Sequence, residues 1–223
     1  MTSIRHIVFD IGNVLLPWHR DRPFRALIPD PEERARFLRE ICSMEWHLTL
    51  DAGEPLDAAI ATLSERHPEQ AELIRAYRTG WLDMFEGADE PVVAILSELV
   101  ARGYDVTALT NFNQDLYALT VPAFPFLGWF RGVTVSGAVR LTKPDPAIYA
   151  RHAESFALAP AATLFFDDSP PNVAAAREGG WHAELFTDAG RMAKDLARYG
   201  IPLPHEESSA DLTAGSGASQ AFP

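Results

Sequence analysis

Apolar and polar residues follow two rhythms along the chain, and one of them predicts strands. Residues 4–9 (IRHIVF) end in three consecutive apolar residues and are followed by the turn-forming residues 10–13, which predicts a buried strand. After residue 88, short apolar runs alternate with helical patterns. The predicted elements are a helix at 91–101, strands at 104–109 and 132–135, a helix from Pro146, a strand at 163–166, a helix at 170–180 and a strand at 182–186. This alternation predicts an α/β fold, with helices on both faces of a parallel sheet.

Between residues 21 and 87 the apolar positions recur at helical spacing. A helix-start signal at residues 31–33 (PEE) precedes Phe37, Leu38 and Ile41, which would share one helix face. A second stripe, with spacings of four and three that are typical of packing, consists of Leu73, Tyr77, Trp81 and Met84.

These rhythms divide the chain into three parts. Residues 1–15 and 88–200 form the predicted core domain, and residues 16–87 form a helical insertion between its first strand and the rest. Residues 201–223 are rich in Ser, Ala, Gly and acids and have few large apolar groups. We expect this last part to be a flexible tail, because it cannot bury enough surface to order itself.

Composition and net charge indicate which classes of binding partner and which cellular compartment to expect. Of the 223 residues 47% are hydrophobic, enough for a buried core. The 19 basic and 31 acidic residues give a net charge of −12, which disfavours nucleic acid and anionic membrane as partners. The single cysteine, Cys42, excludes an internal disulfide and fits a reducing compartment. No stretch approaches the roughly 20 apolar residues of a membrane helix. We therefore expect a soluble, cytoplasmic protein.

The polar residues that follow the predicted strands form a coherent set. Asp10 follows the first strand and residues 110–111 (TN) follow the second. Lys143 lies in the loop after the third strand, and residues 167–168 (DD) follow the fourth. Ligands of open parallel sheets bind at the carboxyl ends of the strands. We therefore expect these side chains to meet in one place.

Together these groups suit phosphate chemistry. A carboxylate such as Asp10 can act as a nucleophile and form an acyl phosphate that water hydrolyses. Three clustered carboxylates need positive charge among them, and Mg²⁺ is bound by carboxylates, water and phosphate. The Thr110 hydroxyl can donate to phosphoryl oxygens, and Lys143 supplies charge against both phosphate and Asp10. Each residue alone is ordinary turn or surface chemistry, but their shared position after strands indicates a functional site.

Local sequence favours this placement. Pro144 is expected to hold Lys143 in an extended conformation. Asp145 is expected to cap the next helix. Ser169 is similarly expected to cap the helix from Pro170, whose positive end would then lie beside the paired aspartates.

The same residues resemble the four motifs of the haloacid dehalogenase-like (HAD-like) hydrolase superfamily. The similar segments are 9–15 (FDIGNVL), 109–111 (LTN), 143–149 (KPDPAIY) and 165–173 (FFDDSPPNV). The resemblance spans residues 5 to about 187 and implies a Rossmann-like α/β core. It also implies that the helical insertion is a small α-helical cap domain, which closes over the site.

The resemblance implies a role for each site residue. Asp10 would be the nucleophile and a ligand of Mg²⁺. Asp168 would bind the metal directly. Asp167 would be either a further ligand or a residue that contacts a ligand. The Gly12 backbone carbonyl would be a further ligand, next to the phosphate. The remaining implied residues, three that hold the phosphate and one behind the metal, are Thr110, Asn111, Lys143 and Asn172.

One position departs from the pattern of the family's phosphatases. These usually carry a second aspartate two residues after the nucleophile, as general acid and base, whereas this chain has Gly12. Losing the proton donor for the leaving oxygen is worth about 10²–10⁴ in rate. Some relatives with glycine here are assigned as phosphatases, notably those that resemble sugar-1-phosphate phosphatases. His19 is a candidate replacement donor, because histidine exchanges protons near neutral pH.

The favoured prediction is a Mg²⁺-dependent phosphatase that acts on a small phosphorylated metabolite. A 2-haloacid dehalogenase would use the same Asp10 nucleophile, but in that resemblance uncharged residues replace the acidic pair at 167–168. A catalytically weak domain that binds a phosphorylated ligand is the other alternative, motivated by Gly12. Candidates for lining the substrate site are Trp18, Trp46, His47 and Trp81.

Overall fold

The computed structural model describes residues 3–203, in which a five-stranded sheet is flanked by α-helices. The strands are β1 (His6–Phe9), β2 (Asp105–Thr110), β3 (Val133–Val135), β4 (Thr163–Asp167) and β5 (His182–Leu185). Their order across the sheet is β3-β2-β1-β4-β5, and every neighbouring pair is parallel. Each bound lies within two residues of the predicted one. The predicted α/β fold is confirmed.

Both faces of the sheet are buried, because successive side chains of β1 point to opposite sides. Ile7 and Phe9 join one hydrophobic cluster and Val8 joins another. Four helices cover these faces, namely α6 (Glu90–Ala101), α9 (Pro146–Phe156), α10 (Pro170–Glu178) and α11 (Ala189–Arg198). Helices α6 and α11 pack on the side of Ile7 and Phe9, and α9 and α10 pack on the side of Val8. The sheet's carboxyl edge is thus held by a rigid, two-sided core.

Helices fill the segment between β1 and β2, as predicted. They are α1 (Phe24–Leu27), α2 (Pro31–Glu40), α3 (Met44–Asp51), α4 (Leu56–Arg66) and α5 (Ala71–Thr79), with 3₁₀ turns at Pro68–Gln70 and Leu82–Met84. Helix α2 begins at the predicted signal, with Pro31 in its first turn. Asp30 caps it, since its Oδ1 accepts a hydrogen bond from the Glu33 N–H at 2.8 Å.

The apolar stripes of this segment pack inside the molecule. Tyr77, Trp81 and Met84 are buried, and Leu73 is partly buried against the same cluster. Phe37 of α2 is buried as well. The interpretation of the second stripe as packing is confirmed, and its cluster is continuous with the core under β1.

Three helices of the core were not predicted from the sequence. Besides α11, they are α7 (Gln114–Thr120) and α8 (Ser136–Val139), and further 3₁₀ turns lie at Val121–Ala123, Pro125–Trp129 and Pro160–Ala162. Helix α7 depends on Asn113, whose Oδ1 accepts hydrogen bonds from the N–H groups of Asp115 and Leu116. Helix α8 has four residues, which is too short to show a 3.6-residue rhythm.

The predicted tail lies mostly outside the described residues, which end at 203. Ile201 is buried, and Arg102 donates a hydrogen bond to the Pro202 carbonyl at 2.7 Å. Residues 201–203 therefore lie against the core instead of beginning a tail. In the described part of the chain, no helix is long and apolar enough to cross a membrane.

Candidate active site

Asp10 lies at the carboxyl end of the central strand β1. Its backbone N–H donates to the Phe166 carbonyl at 2.9 Å, which continues the pairing of β1 with β4. Its Oδ1 accepts a hydrogen bond from the Ile11 N–H at 2.7 Å. The residue is only 7% exposed. The strand and this hydrogen bond fix the carboxylate beside the end of β4.

Three carboxylates meet there, as predicted. One oxygen each of Asp10, Asp167 and Asp168 lies within 4.8 Å of the other two. Asp167 is fully buried, whereas Asp168 is partly exposed. Such a group cannot stay ionised without nearby positive charge. The cluster is therefore a candidate site for a hard divalent cation, for which carboxylate oxygens are the preferred ligands.

Lys143 supplies positive charge to two of these carboxylates. Its Nζ lies 2.9 Å from Asp10 Oδ1 and 2.6 Å from Asp167 Oδ2, and it donates to the Leu109 carbonyl at 3.0 Å. An ammonium group has three donors, so these contacts use all of them. The residue is 4% exposed. Lys143 therefore joins the ends of β1, β2 and β4 into one charged unit.

Burial has the largest effect on the pKa values of these groups. Burial raises the pKa of Asp10 to about 7; the charge of Lys143 opposes this shift and that of Asp167 adds to it. Burial, together with the charge of Asp167, also raises the pKa of Asp168. Burial lowers the pKa of Lys143, but the charges of Asp10 and Asp167 outweigh it, so the pKa lies above its ordinary value. The lysine stays charged, while Asp10 needs a further cation to be fully ionised at neutral pH.

The end of β2 contributes a hydroxyl and an amide. Thr110 is 1% exposed, and no residue among 3–203 makes a hydrogen bond with its Oγ1. An unpaired buried hydroxyl is costly, so it indicates a ligand group that completes the site. The Asn111 side chain instead clamps the loop: its Oδ1 accepts from the Lys143 N–H at 2.8 Å and its Nδ2 donates to the Lys143 carbonyl at 3.0 Å.

The end of β4 is held differently from the prediction. Ser169 occupies the N-cap position of α10, but its side chain makes no capping hydrogen bond. The Asp167 carboxylate instead holds the turn that leads into the helix, because its Oδ1 accepts from the Ser169 N–H at 2.9 Å and from Asn172 Nδ2 at 3.0 Å. The predicted cap at Asp145 is present, with a 2.9 Å hydrogen bond from the Ala147 N–H. Asp167 is thus saturated by protein donors, which leaves Asp168 as the freer carboxylate.

A family model described as haloacid dehalogenase-like hydrolase matches residues 4–180. The chain belongs to this family of hydrolases. Its match thus includes the carboxylates at 10, 167 and 168 and Lys143.

The names of two curated relatives describe a phosphatase and a mononucleotide hydrolase. Sesquiterpene phosphatase astK of Aspergillus oryzae is 26% identical over 200 residues, 87% of this chain and 96% of the relative. Flavin mononucleotide hydrolase 1 of Arabidopsis thaliana is 29% identical over 109 residues, which span 48% of this chain and only 43% of that protein. A HAD family enzyme of Bacteroides thetaiotaomicron, solved with magnesium and inorganic phosphate, has a TM-score of 0.69 at 20% identity, covering 83% of this chain and 96% of that one. The structural likeness supports the HAD-like fold.

Gly12, the departure from the pattern of the family's phosphatases, lies in open space. A Cβ atom added there would meet no heavy atom within 4 Å. Packing therefore does not require glycine at this position. A side chain could be accommodated, which makes Gly12 useful for testing where the proton donor lies.

Asn13 is a site residue that the sequence prediction missed. It has a left-handed backbone with φ of 54°, a conformation that asparagine tolerates better than most residues. Its Nδ2 donates to Asp168 Oδ2 at 3.2 Å, and its Oδ1 accepts from the Trp18 N–H at 3.2 Å. Asn13 therefore ties the turn after β1 to the most exposed carboxylate. Its place directly after a turn glycine was the available signal.

We predict that Asn13→Ala lowers the free energy of unfolding by about 1 kcal/mol relative to Asn13→Gly. Both variants lose the side-chain bonds to Asp168 and Trp18, but only alanine is strained at positive φ. Urea denaturation of the two variants measures the difference. Equal stability would show that the turn relaxes to another conformation.

The remaining predicted residues are His19, the candidate proton donor, and the aromatic candidates for the substrate site. The His19 side chain is about half exposed, with Nε2 3.8 Å from Glu86 Oε2. None of the hydrogen bonds or ion pairs found in residues 3–203 joins it to Asp10 or Lys143, so its role as proton donor stays a prediction. The aromatic candidates do cluster, with the Trp18 ring centroid 4.8 Å from that of His47 and 6.2 Å from that of Trp81.

Trp46 lies at the outer side of this cluster. Its ring meets Tyr77 edge-on at 5.0 Å, and Tyr77 lies between it and His47. Trp81 is buried, and its ring contacts Phe112, two residues after Thr110. The aromatic cluster thus reaches the end of β2 through Trp81, while Trp46 joins the cluster through Tyr77.

Proposed function

We propose that this hydrolase is a Mg²⁺-dependent phosphatase, which cleaves a small phosphate ester through an aspartyl-phosphate intermediate at Asp10. The observation that carries the proposal is the buried arrangement of Asp10, Lys143 and Asp167 with Asp168 beside it. The names of the two curated relatives favour a phosphate substrate. We also propose a cytoplasmic location and a small-molecule substrate, in keeping with the net charge of −12.

The residues present fit a magnesium ion. Three carboxylates face one ammonium group, so the cluster lacks positive charge, and the raised pKa of Asp10 reflects this deficit after burial. Asp10, Asp168 and the Gly12 carbonyl would hold the ion, and Asp167 would stay with Lys143. When bound, Mg²⁺ supplies charge that favours ionised Asp10 and shields the incoming phosphate.

The chain's own groups then divide the work. An Asp10 carboxylate oxygen attacks phosphorus, and water later releases phosphate from the aspartyl ester. The unpaired Thr110 hydroxyl donates to a phosphoryl oxygen. Lys143 keeps Asp10 in place and in its ionised form. The backbone N–H of Asn111 would complete the phosphate site, while its side chain holds the Lys143 loop.

Charge also bears on the dehalogenase alternative. A haloacid is itself an anion, and without a metal it would enter a site where three carboxylates outnumber one ammonium group. The like charges would repel each other in a poorly screened environment. The acidic pair at the end of β4 therefore favours phosphate hydrolysis with a metal over metal-free dehalogenation.

Hydrolysis of p-nitrophenyl phosphate tests the proposal, measured with Mg²⁺ and with EDTA. We expect turnover that requires magnesium. If no metal-dependent turnover is found and chloride is released from chloroacetate in EDTA, the chain is a dehalogenase. Tight binding of phosphate esters without any turnover would instead support a binding domain.

Metal binding is also predicted without reference to activity. At a Mg²⁺ concentration 100 times its Kd, linkage stabilises the fold by about 2.7 kcal/mol, which is a Tm increase of about 5 °C or more. Asp168→Asn should abolish the increase, whereas Asp57→Asn, at an exposed position of α4, should keep it. Because the pKa values of Asp10 and Asp168 are raised, protons compete with the metal, and the increase should shrink from about pH 8 to about pH 6. An undiminished increase in Asp168→Asn would place the ion elsewhere.

A further inference from the structure

Asp51, the last residue of α3, is a buried carboxyl group with one unsatisfied oxygen. It is 4% exposed, and no residue among 3–203 makes a hydrogen bond with its Oδ1. Its Oδ2 lies 3.5 Å from His47 Nε2. A carboxyl oxygen left unpaired in the interior is costly unless a ligand or a reaction uses it.

Hydrogen bonds fasten this end of α3 over the carboxyl edge of the sheet. Ser136 Oγ, just after β3, donates to the Asp51 carbonyl at 2.7 Å. Asn113 Nδ2, just after β2, donates to the carbonyls of Leu50 and Glu54 at 3.2 and 2.9 Å. Thr110 and Lys143 belong to the same edge. The Asp51 carboxyl therefore lies on the side of the sheet where the reaction is proposed to occur.

Burial and the neighbouring groups set the pKa values of Asp51 and of the residues that contact it. Burial raises the pKa of Asp51 to about 7, against the smaller effects of Lys143 and the Asn113 N–H, so a large share of the molecules carries a proton on Asp51 at neutral pH. Burial and then the charge of Arg20 lower the pKa of His47 to about 3, which keeps that ring neutral. Tyr77 Oη lies 2.8 Å from His47 Nδ1, and burial raises the pKa of Tyr77.

These contacts connect Tyr77, His47 and Asp51 into a chain. We assign the Tyr77 hydroxyl as the donor to His47 Nδ1, which places the ring proton on Nε2, facing Asp51 Oδ2. The acidic proton of Asp51 is then on Oδ1, the oxygen without a partner among the described residues. The protonated form of Asp51 therefore carries its proton on an oxygen that no described residue binds.

Other buried titratable groups that sense the charged site are already occupied. The Tyr149 hydroxyl donates to the Asn172 carbonyl at 2.9 Å. Both ring nitrogens of His152 are engaged, with Thr107 at 3.0 Å and Thr134 at 2.8 Å. Of these three groups, Asp51 alone has a free proton-carrying atom.

We propose that Asp51 protonates the leaving-group oxygen, in place of the acid that is absent at Gly12; this inference rests on the proposed phosphatase function. As the Asp10 oxygen bonds to phosphorus, the ester P–O bond breaks and its electron pair stays on the leaving oxygen, which takes the proton from Asp51 Oδ1. In the second step water attacks the aspartyl phosphate, the bond from phosphorus to Asp10 breaks, and the surplus proton of the released phosphate passes through solvent to the Asp51 carboxylate. Alcohol and inorganic phosphate leave, and Asp10 and Asp51 return to their starting states.

The test compares good and poor leaving groups. In Asp51→Asn, turnover of alkyl phosphates, taken from a panel that includes glycerol 1-phosphate, should fall by about 10²–10⁴. Turnover of p-nitrophenyl phosphate should stay nearly unchanged, because its leaving oxygen needs no proton. Asp57→Asn, an exposed carboxyl of α4, should leave both unchanged. Because the pKa of Asp51 is about 7, wild-type alkyl turnover should also fall as the pH rises above that value, and this limb should vanish in Asp51→Asn.

Gly12→Asp in the Asp51→Asn background supplies a second, independent readout. Position 12 has room for a side chain, and an acid there should restore alkyl turnover. A structural lesion at Asp51 would not be repaired in this way. Equal loss on both ester classes without repair overturns the proposal, as does wild-type turnover of aryl but not alkyl phosphates. If the wild type hydrolyses no phosphate ester, the phosphatase function itself fails and this proposal fails with it.

Discussion

Replacing Asp10 with asparagine is expected to lower kcat for p-nitrophenyl phosphate by about 10⁴-fold or more, since removal of a nucleophile leaves only binding and electrostatic catalysis. The amide has nearly the same shape as the carboxylate, and its oxygen can still accept the hydrogen bonds from Lys143 and from the Ile11 N–H. The loss should therefore be chemical and not due to misfolding. Mass spectrometry after a rapid acid quench should find one covalently attached phosphoryl group on the wild type and none on the variant.

The same substitution should increase stability in EDTA. An acid whose pKa is higher in the folded state binds its proton more tightly there, so it destabilises the fold once the pH exceeds its ordinary value. The pKa of Asp10 rises from 3.8 to about 7 on burial. The wild type should thus lose stability relative to Asp10→Asn as the pH rises from about 4 to about 7. Activity and stability that fall together in the variant would contradict the nucleophile assignment.

The sequence predicted the strands of the sheet and the residues at their ends because both depend on local pattern. Residues 7–9 are apolar without interruption, which a strand buried on both faces explains well. Asp10 ends that run, and parallel pairing then places it beside the end of β4. The cap at Asp145 was also predictable, since capping chemistry depends on neighbours a few residues away.

Competition between neighbours explains the error at Ser169. Both Asp167 and Ser169 can accept a hydrogen bond near the start of α10, and propensity alone favours the residue directly before Pro170. In the structure Lys143 holds the other oxygen of Asp167, which orients the carboxylate toward the Ser169 N–H. A contact from 24 residues away therefore helps to fix the turn that leads into α10.

Asp51 was beyond the reach of sequence reasoning for a similar reason. In sequence it is a polar residue near the end of a helix, two residues before Gly53. Its burial arises only when α3 packs over Ser136 and Asn113, which lie far along the chain. Long-range packing sets its protonation and its position, and neither leaves a trace in local spacing.

Replacing Lys143 with methionine should have the second largest effect, because it acts on stability and activity together. Lys143 and Lys194 are the chain's two lysines, and only Lys143 is buried. Methionine fills a similar volume but leaves the carboxylates of Asp10 and Asp167 without their shared cation. Breaking a buried ion pair from one side costs about 3–5 kcal/mol. We expect a decrease of this size in the free energy of unfolding at pH 8, measured by urea denaturation in EDTA.

The pH and metal dependence of that decrease identify its cause. Near pH 5, Asp10 in the variant can take up a proton, so part of the lost stability should return. Mg²⁺ should stabilise Lys143→Met more than the wild type, because the ion meets carboxylates that no other charge neutralises. Turnover should nevertheless fall by about 10²–10³, the usual cost of losing one preorganised charge at the reacting centre. Lys194→Met, on the exposed side of α11, should change none of these quantities. A Lys143→Met variant as stable as the wild type at pH 8 would mean that the carboxylates stay protonated there, and the ionised cluster assigned to this site would be wrong.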